Sequence, residues 1–163
     1  MNAKDVIRCS LDQSQHIMDA YLGDLDDADL LIRPIEGMNH IAWQLGHLIQ
    51  TERTIAESIK PGSSPPLPDG FEVGHGRQEF GKDDASAYLP RAKYQELWKA
   101  QRAATKAVLD SLPDSDLDKP SPEAFRGFAP TFGALLNLAG THPLLHAGQF
   151  VSVRRKLKKA VTI

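Results

Sequence analysis

Residues 131–157 read TFGALLNLAGTHPLLHAGQFVSVRRKL. At 100° per residue, Leu135, Leu138, Ala139, Leu145, Phe150, Val153 and Leu157 all fall within about 80° of His142. This is the stripe of a long amphipathic helix, opened by Thr131 as a side-chain cap and running to about Lys159. The wheel places His142, His146 and Gln149 in the middle of that stripe. A lone core histidine is ordinarily satisfied by a carbonyl or a carboxylate. Two imidazoles one turn apart are harder to satisfy, because each needs partners for both ring nitrogens and neither holds a charge cheaply beside the other. Neutral imidazoles at i and i+4 can instead converge on one divalent ion, at about 2.0–2.1 Å.

Three further segments carry the same period. The first helix is predicted from about Asp5 to Gly23, with Ile7, Leu11, Met18, Tyr21, Leu22 and Leu25 down one side. The second starts with Asn39 as its cap, uses Ile41, Leu45, Leu48, Ile55 and Ile59, and stops near Lys60 before Pro61. The third occupies roughly Ala85 to Leu112, on Leu97, Trp98, Ala104, Val108 and Leu112. Nothing alternates like a strand, and there is no internal repeat. Residues 60–84, KPGSSPPLPDGFEVGHGRQEFGKDD, are too rich in Pro, Gly and Ser for regular structure. A second proline-bearing link, PDSDLDKPSPEAFRGFAP, leads to Thr131. The expectation is a single all-α domain over residues 1–163, a four-helix bundle with long crossover connections.

Composition narrows the function. A formal net charge of −2 gives no electrostatic case for a nucleic-acid partner. The basic run Arg154, Arg155, Lys156, Lys158 and Lys159 is explained by the dipole at a helix C-terminus. A single cysteine, Cys9, excludes an internal disulfide and any cysteine-rich metal site. No run has the length and apolarity of a signal peptide or a membrane span, so a soluble cytoplasmic protein is expected.

The second helix supplies further polar candidates. His40 and His47 nearly superpose along its axis and flank the stripe, His47 at mid-helix depth and His40 in the first turn, facing solvent or supporting the site from behind. Glu52 is odder: a carboxylate among Leu45, Leu48, Ile55 and Ile59. It is either paired with an arginine such as Arg53 or Arg33, or a weak catalytic candidate. His16 and His75 attract no comparable argument.

At these residues the chain resembles the DinB/YfiT-like superfamily of bacterial four-helix-bundle proteins. A W-x-x-x-H-L stretch is matched by Trp43 and His47-Leu48, and an H-x-x-x-H-x-G-Q signature by His142, His146, Gly148 and Gln149. The resemblance spans essentially the whole chain. It implies a site of three histidines, His47, His142 and His146, holding a divalent metal ion, zinc or nickel, and it implies a homodimer. Characterised relatives include transferases and isomerases that use a low-molecular-weight thiol such as mycothiol or bacillithiol. Others are known only as metal-dependent hydrolases or stress-inducible proteins.

Three neutral nitrogen ligands leave at least one metal position open, the pattern of a catalytic site. Water there would approach a pKa of about 7, and a thiol would be held as thiolate. The implied function is therefore a metal-dependent enzyme, a thiol-dependent transferase or isomerase or else a hydrolase, acting on a small-molecule substrate. The alternative is a non-catalytic, dimeric metal-binding stress or interaction protein. A hydrolase would draw on Glu52 as base, whereas a thiol co-substrate would need anchors such as Arg53 or Arg91. Gln149 is expected behind the ligands rather than among them. A shared ion also requires the ring nitrogens to lie within about 4 Å of one another. Pro143 is the departure from pattern: it removes the N–H that would bond Ala139, so the helix must kink or restart, and a restart would loosen His142 from His146.

Overall fold

A computed structural model describes residues 1–76 and 84–161. Four long helices pack as a bundle: α1 (Ala3–Leu22), α2 (Ile41–Ile59), α4 (Arg91–Ser111) and α5 (Phe132–Lys156). A single turn, α3 (Phe71–Gly74), interrupts the α2–α4 crossover. Among the described residues there is no strand, only an isolated bridge between Pro120 and Thr131.

The boundaries follow from capping chemistry that periodicity does not show. α1 begins ahead of Asp5 because Asn2 and Asp5 form a reciprocal capping box, each side chain accepting the other's backbone N–H at 2.9 Å. α2 is capped by His40 rather than Asn39, its Nδ1 accepting from the Trp43 N–H at 3.1 Å. α4 starts at Arg91, not Ala85. Residues Ala85–Ala87 form a separate 3₁₀ turn, and a residue preceding proline is pushed out of helical dihedrals, so the helix opens only after Pro90. Thr131 caps α5 as expected, accepting from the Ala134 N–H at 3.2 Å. The helix ends at Lys156, short of Lys159, where Lys158 takes a left-handed φ of 59°.

The crossover is more ordered than its composition suggests. Gly70, at φ 75°, opens α3. His75 is buried behind it, donating from Nδ1 to the Phe71 carbonyl at 2.7 Å and accepting at Nε2 from the Tyr94 hydroxyl at 2.6 Å. Its ring lies on Gly46 of α2, where any Cβ would overlap it. His75 is thus a structural clasp. The rest of that stretch, residues 77–83, lies outside the described residues.

The core has two apolar halves. Met18, Tyr21, Leu45, Trp98 and Phe150 belong to one; Leu11, Ile55, Val108, Leu135 and Ala139 belong to the other. Between them in register lie Ser14, Glu52, Arg102 and Thr105, all buried. The Arg102 guanidinium donates to the Leu11 carbonyl (2.6 Å), the Ser14 hydroxyl (3.0 Å), the Glu52 carboxylate (2.9 Å) and the Ala139 carbonyl (3.2 Å). The last acceptor resolves the Pro143 question. Pro143 cannot bond the Ala139 carbonyl, and Arg102 takes that carbonyl instead, so α5 runs through Pro143 as one helix. It neither restarts nor lets the histidine pair go.

The buried face of α5 is also rotated from the sequence expectation. Leu136, Gly140, Pro143, Ala147 and Arg154 extend it to one side, so its centre lies about 90° from His142. Leu145, on the other side, is 70% exposed. The rotation has a steric cause: a Cβ on Gly140 would lie 2.9 Å from the Ser10 carbonyl carbon, so this bare face lets α1 and α5 approach closely. Arg154 is not a solvated tail cation either. It is buried, held by the Asp24 carboxylate at 2.5 and 3.0 Å and by the Tyr21 carbonyl at 2.7 Å.

Candidate metal centre

His142 and His146 stand one turn apart on α5, and His47 faces them from α2. One ring nitrogen from each lies within 4.8 Å of the others. The His142 and His146 Nε2 atoms are 3.2 Å apart, close to the roughly 3.3 Å edge of a tetrahedron with 2.0–2.1 Å bonds. The spread of the full set exceeds the expected 4 Å, so a shared ion needs a ring adjustment of about 1 Å beyond the placement seen. Rotation of α5 puts the cluster at the rim of the core and not at its middle: His47 and His142 are half-buried, and only His146 is nearly closed off.

Two neighbours on α2 set the ring orientations. Gln44 Oε1 accepts from His146 Nδ1 at 2.8 Å, while its Nε2 donates to the Asn39 carbonyl at 2.8 Å, which fixes the amide's sense. With its proton on Nδ1, His146 turns the Nε2 lone pair toward the cluster. Trp43 stacks on His47, centroids 5.2 Å apart and planes 8° from parallel; its indole N–H donates to the Gly76 carbonyl at 3.3 Å. Burial, with His142 and His47 adding to it, pulls His146 down to about 3, and burial also lowers His142. Both are neutral at pH 7. The donor set is of the kind a divalent ion of intermediate softness takes: three imidazoles, each offering a ring nitrogen to one small cluster.

The other expected residues fall elsewhere. Glu52 is committed to Arg102, not to Arg53 or Arg33, and lines neither cleft beside the histidines. Burial pushes its carboxyl up, against the pull of Arg102. Arg33 instead donates to the Met38 carbonyl at 2.6 Å, and Arg53 to the Pro65 carbonyl. Arg91 caps the C-terminal end of α1 through the Leu22 and Gly23 carbonyls. Neither Arg53 nor Arg91 is placed to anchor a thiol at the cluster. His40 is fully buried as the α2 cap, its ring edge-on to Tyr88 at 4.4 Å, and so does not face solvent. Gln149 lines the cleft over His47 and His146; the amide behind His146 is Gln44, which sequence reasoning missed.

Comparison with known families matches residues 10–150 to the DinB superfamily. The chain belongs to the DinB superfamily. No curated protein and no solved structure matches it. In this DinB domain the matched residues include all three histidines together with Trp43 and Gln44, so ligand candidates and their supports lie within the family region. No helix among the described residues is long and apolar enough to cross a membrane.

Proposed function

We propose that the protein is a metal-dependent enzyme acting on a small molecule, with zinc or nickel held by His47, His142 and His146, and that it uses a thiol co-substrate. The observation that supports this most directly is the gathering of three imidazoles at a rim open to two clefts. A divalent ion on three nitrogens keeps a position open and lowers the pKa of a thiol or water bound there. The chain's own residues prepare for it: Gln44 holds the His146 proton on Nδ1, and Trp43 fixes the His47 plane. Thiol transfer or isomerisation is favoured over hydrolysis because no carboxylate is among the described residues lining either cleft, and Glu52 is tied to Arg102. Hydrolysis would draw on such a base; a thiol makes no such demand on the protein.

Elemental analysis of the purified protein, joined to thiol-consumption assays against a panel of electrophiles, tests the proposal. One ion per chain and turnover only in the metal-loaded protein are expected. Turnover unaffected by a chelator, or a loaded protein that consumes no thiol with any electrophile, would sink it. The family resemblance also supports a homodimer, which sedimentation at micromolar concentration would distinguish from a 17.9 kDa monomer.

A further inference from the structure

We infer that the cleft on the Phe125–Phe128 side of the histidines receives an uncharged aromatic or branched aliphatic group of the substrate, an inference that rests on the metal-dependent function proposed above. The cleft measures about 390 Å³. Phe125, Phe128, Leu138, Thr51 and Thr54 wall it, with His47 and His142 also in its lining. No charged side chain is among these described residues, so away from the metal position itself a phosphate or carboxylate would find no counter-charge on the cleft walls. Thr54 already donates its hydroxyl proton to the Gln50 carbonyl at 2.9 Å. An apolar group is what such walls hold.

The aromatic wall is built rather than incidental. Phe128 is 65% exposed, yet the link carrying it is stitched at several points. Ser121 N–H donates to the Pro130 carbonyl at 3.0 Å, Phe132 N–H to Lys119 at 2.9 Å, Ala129 N–H to Phe125 at 2.8 Å, and Arg126 Nε to Ser121 at 2.8 Å. Phe125 and Phe128 pack edge to face, centroids 5.9 Å apart. An ordered link that keeps a phenylalanine in water beside three convergent imidazoles is a preformed pocket wall. The volume is that of a small-molecule site and suits one ring system. The cleft on the other side of His47, about 770 Å³, is lined by the amides of Asn39, Gln44 and Gln149 together with the apolar faces of Met38 and Trp43. The two clefts share His47, so two reactants entering from opposite sides can meet at the same imidazole cluster.

The test compares two chelators that differ only in a methyl or a phenyl group. Zinc-loaded protein titrated calorimetrically should bind benzohydroxamate roughly tenfold more tightly than acetohydroxamate, the gain from moving a ring out of water onto apolar walls. In Phe128→Ser that ratio should fall to near one; Phe128 lies outside both core clusters, and thermal melting checks that the variant is folded. In parallel, benzyl alcohol added to the metal-free protein should shift the methyl resonances of Thr51, Thr54 and Leu138, and the shifts should be lost in Phe128→Ser. Equal affinity for the two hydroxamates, or a phenyl preference that survives the substitution, overturns the inference. If zinc does not bind, the proposed function fails by itself and benzyl alcohol decides the pocket: methyl shifts elsewhere, or none, overturn it.

Discussion

Gln44 decides where the proton of His146 sits, and that makes it as consequential as a ligand. Gln44→Leu should weaken zinc binding about 10- to 100-fold, the usual loss when a partner behind a ligating imidazole is removed; competition against a chromophoric chelator measures it. His146→Ala should remove tight binding altogether while far-UV circular dichroism stays helical, because the apolar stripes hold the bundle without it. Protonation gives a third readout. The His146 imidazole titrates at about 3 when folded against an ordinary 6.5, so the unfolded chain takes up that proton first. Its contribution to the metal-free protein is complete above pH 6.5 and is lost progressively as the pH falls toward 3. Urea midpoints at pH 8, 6 and 5 should therefore fall less steeply in His146→Ala, the difference being on the order of 1–2 kcal/mol by pH 5. His142 and His146 were legible in the sequence because they break an apolar stripe. Gln44 was not, since an amide flanking a stripe looks like any surface amide until its partner across the bundle is known.

At the scale of elements, α5 depends on α4. The absence of a Pro143 N–H could be read from sequence; the replacement donor could not, because Arg102 lies 37 residues from Ala139. The same long-range contact hid the partner of Glu52, for which nearer arginines looked adequate. Arg102→Met should cost about 3–5 kcal/mol in chemical denaturation, chiefly by leaving the Glu52 charge buried and unpaired. Adding Glu52→Leu should recover a large share, and Pro143→Ala in that background should recover more by restoring an N–H to the Ala139 carbonyl. If the single and double variants are equally unstable, the charge pair is not what binds the two core halves. The start of α4 was misread for a simpler reason: its apolar stripe begins only at Leu97, so spacing does not mark the start, and only the constraint before Pro90 does.

For the molecule as a whole, four helical-period stripes and their Pro/Gly breaks were enough to set the architecture. They could not set the rotation of α5, which the small residues facing α1 decide. That rotation carries the histidines from the centre of the bundle to its rim, where clefts can reach them. An ion shared by α2 and α5 would bind the folded chain alone, so zinc at a hundredfold above its Kd should add about 2.7 kcal/mol of stability, reversed by a chelator. His142→Ala should show none of that gain, a comparison read directly from thermal melts with and without zinc.

The proline in α5 also bears on the order in which the protein is made. Arg102 leaves the ribosome before Ala139, so its guanidinium is already present, with Glu52 and the Leu11 carbonyl to hold it, when the last helix emerges. A nascent α5 has an open rung at Pro143 and closes it only by docking on α4. The paired imidazoles therefore acquire their spacing in the assembled bundle and not in the free helix, and a peptide of residues 131–157 alone would be a poor metal chelator.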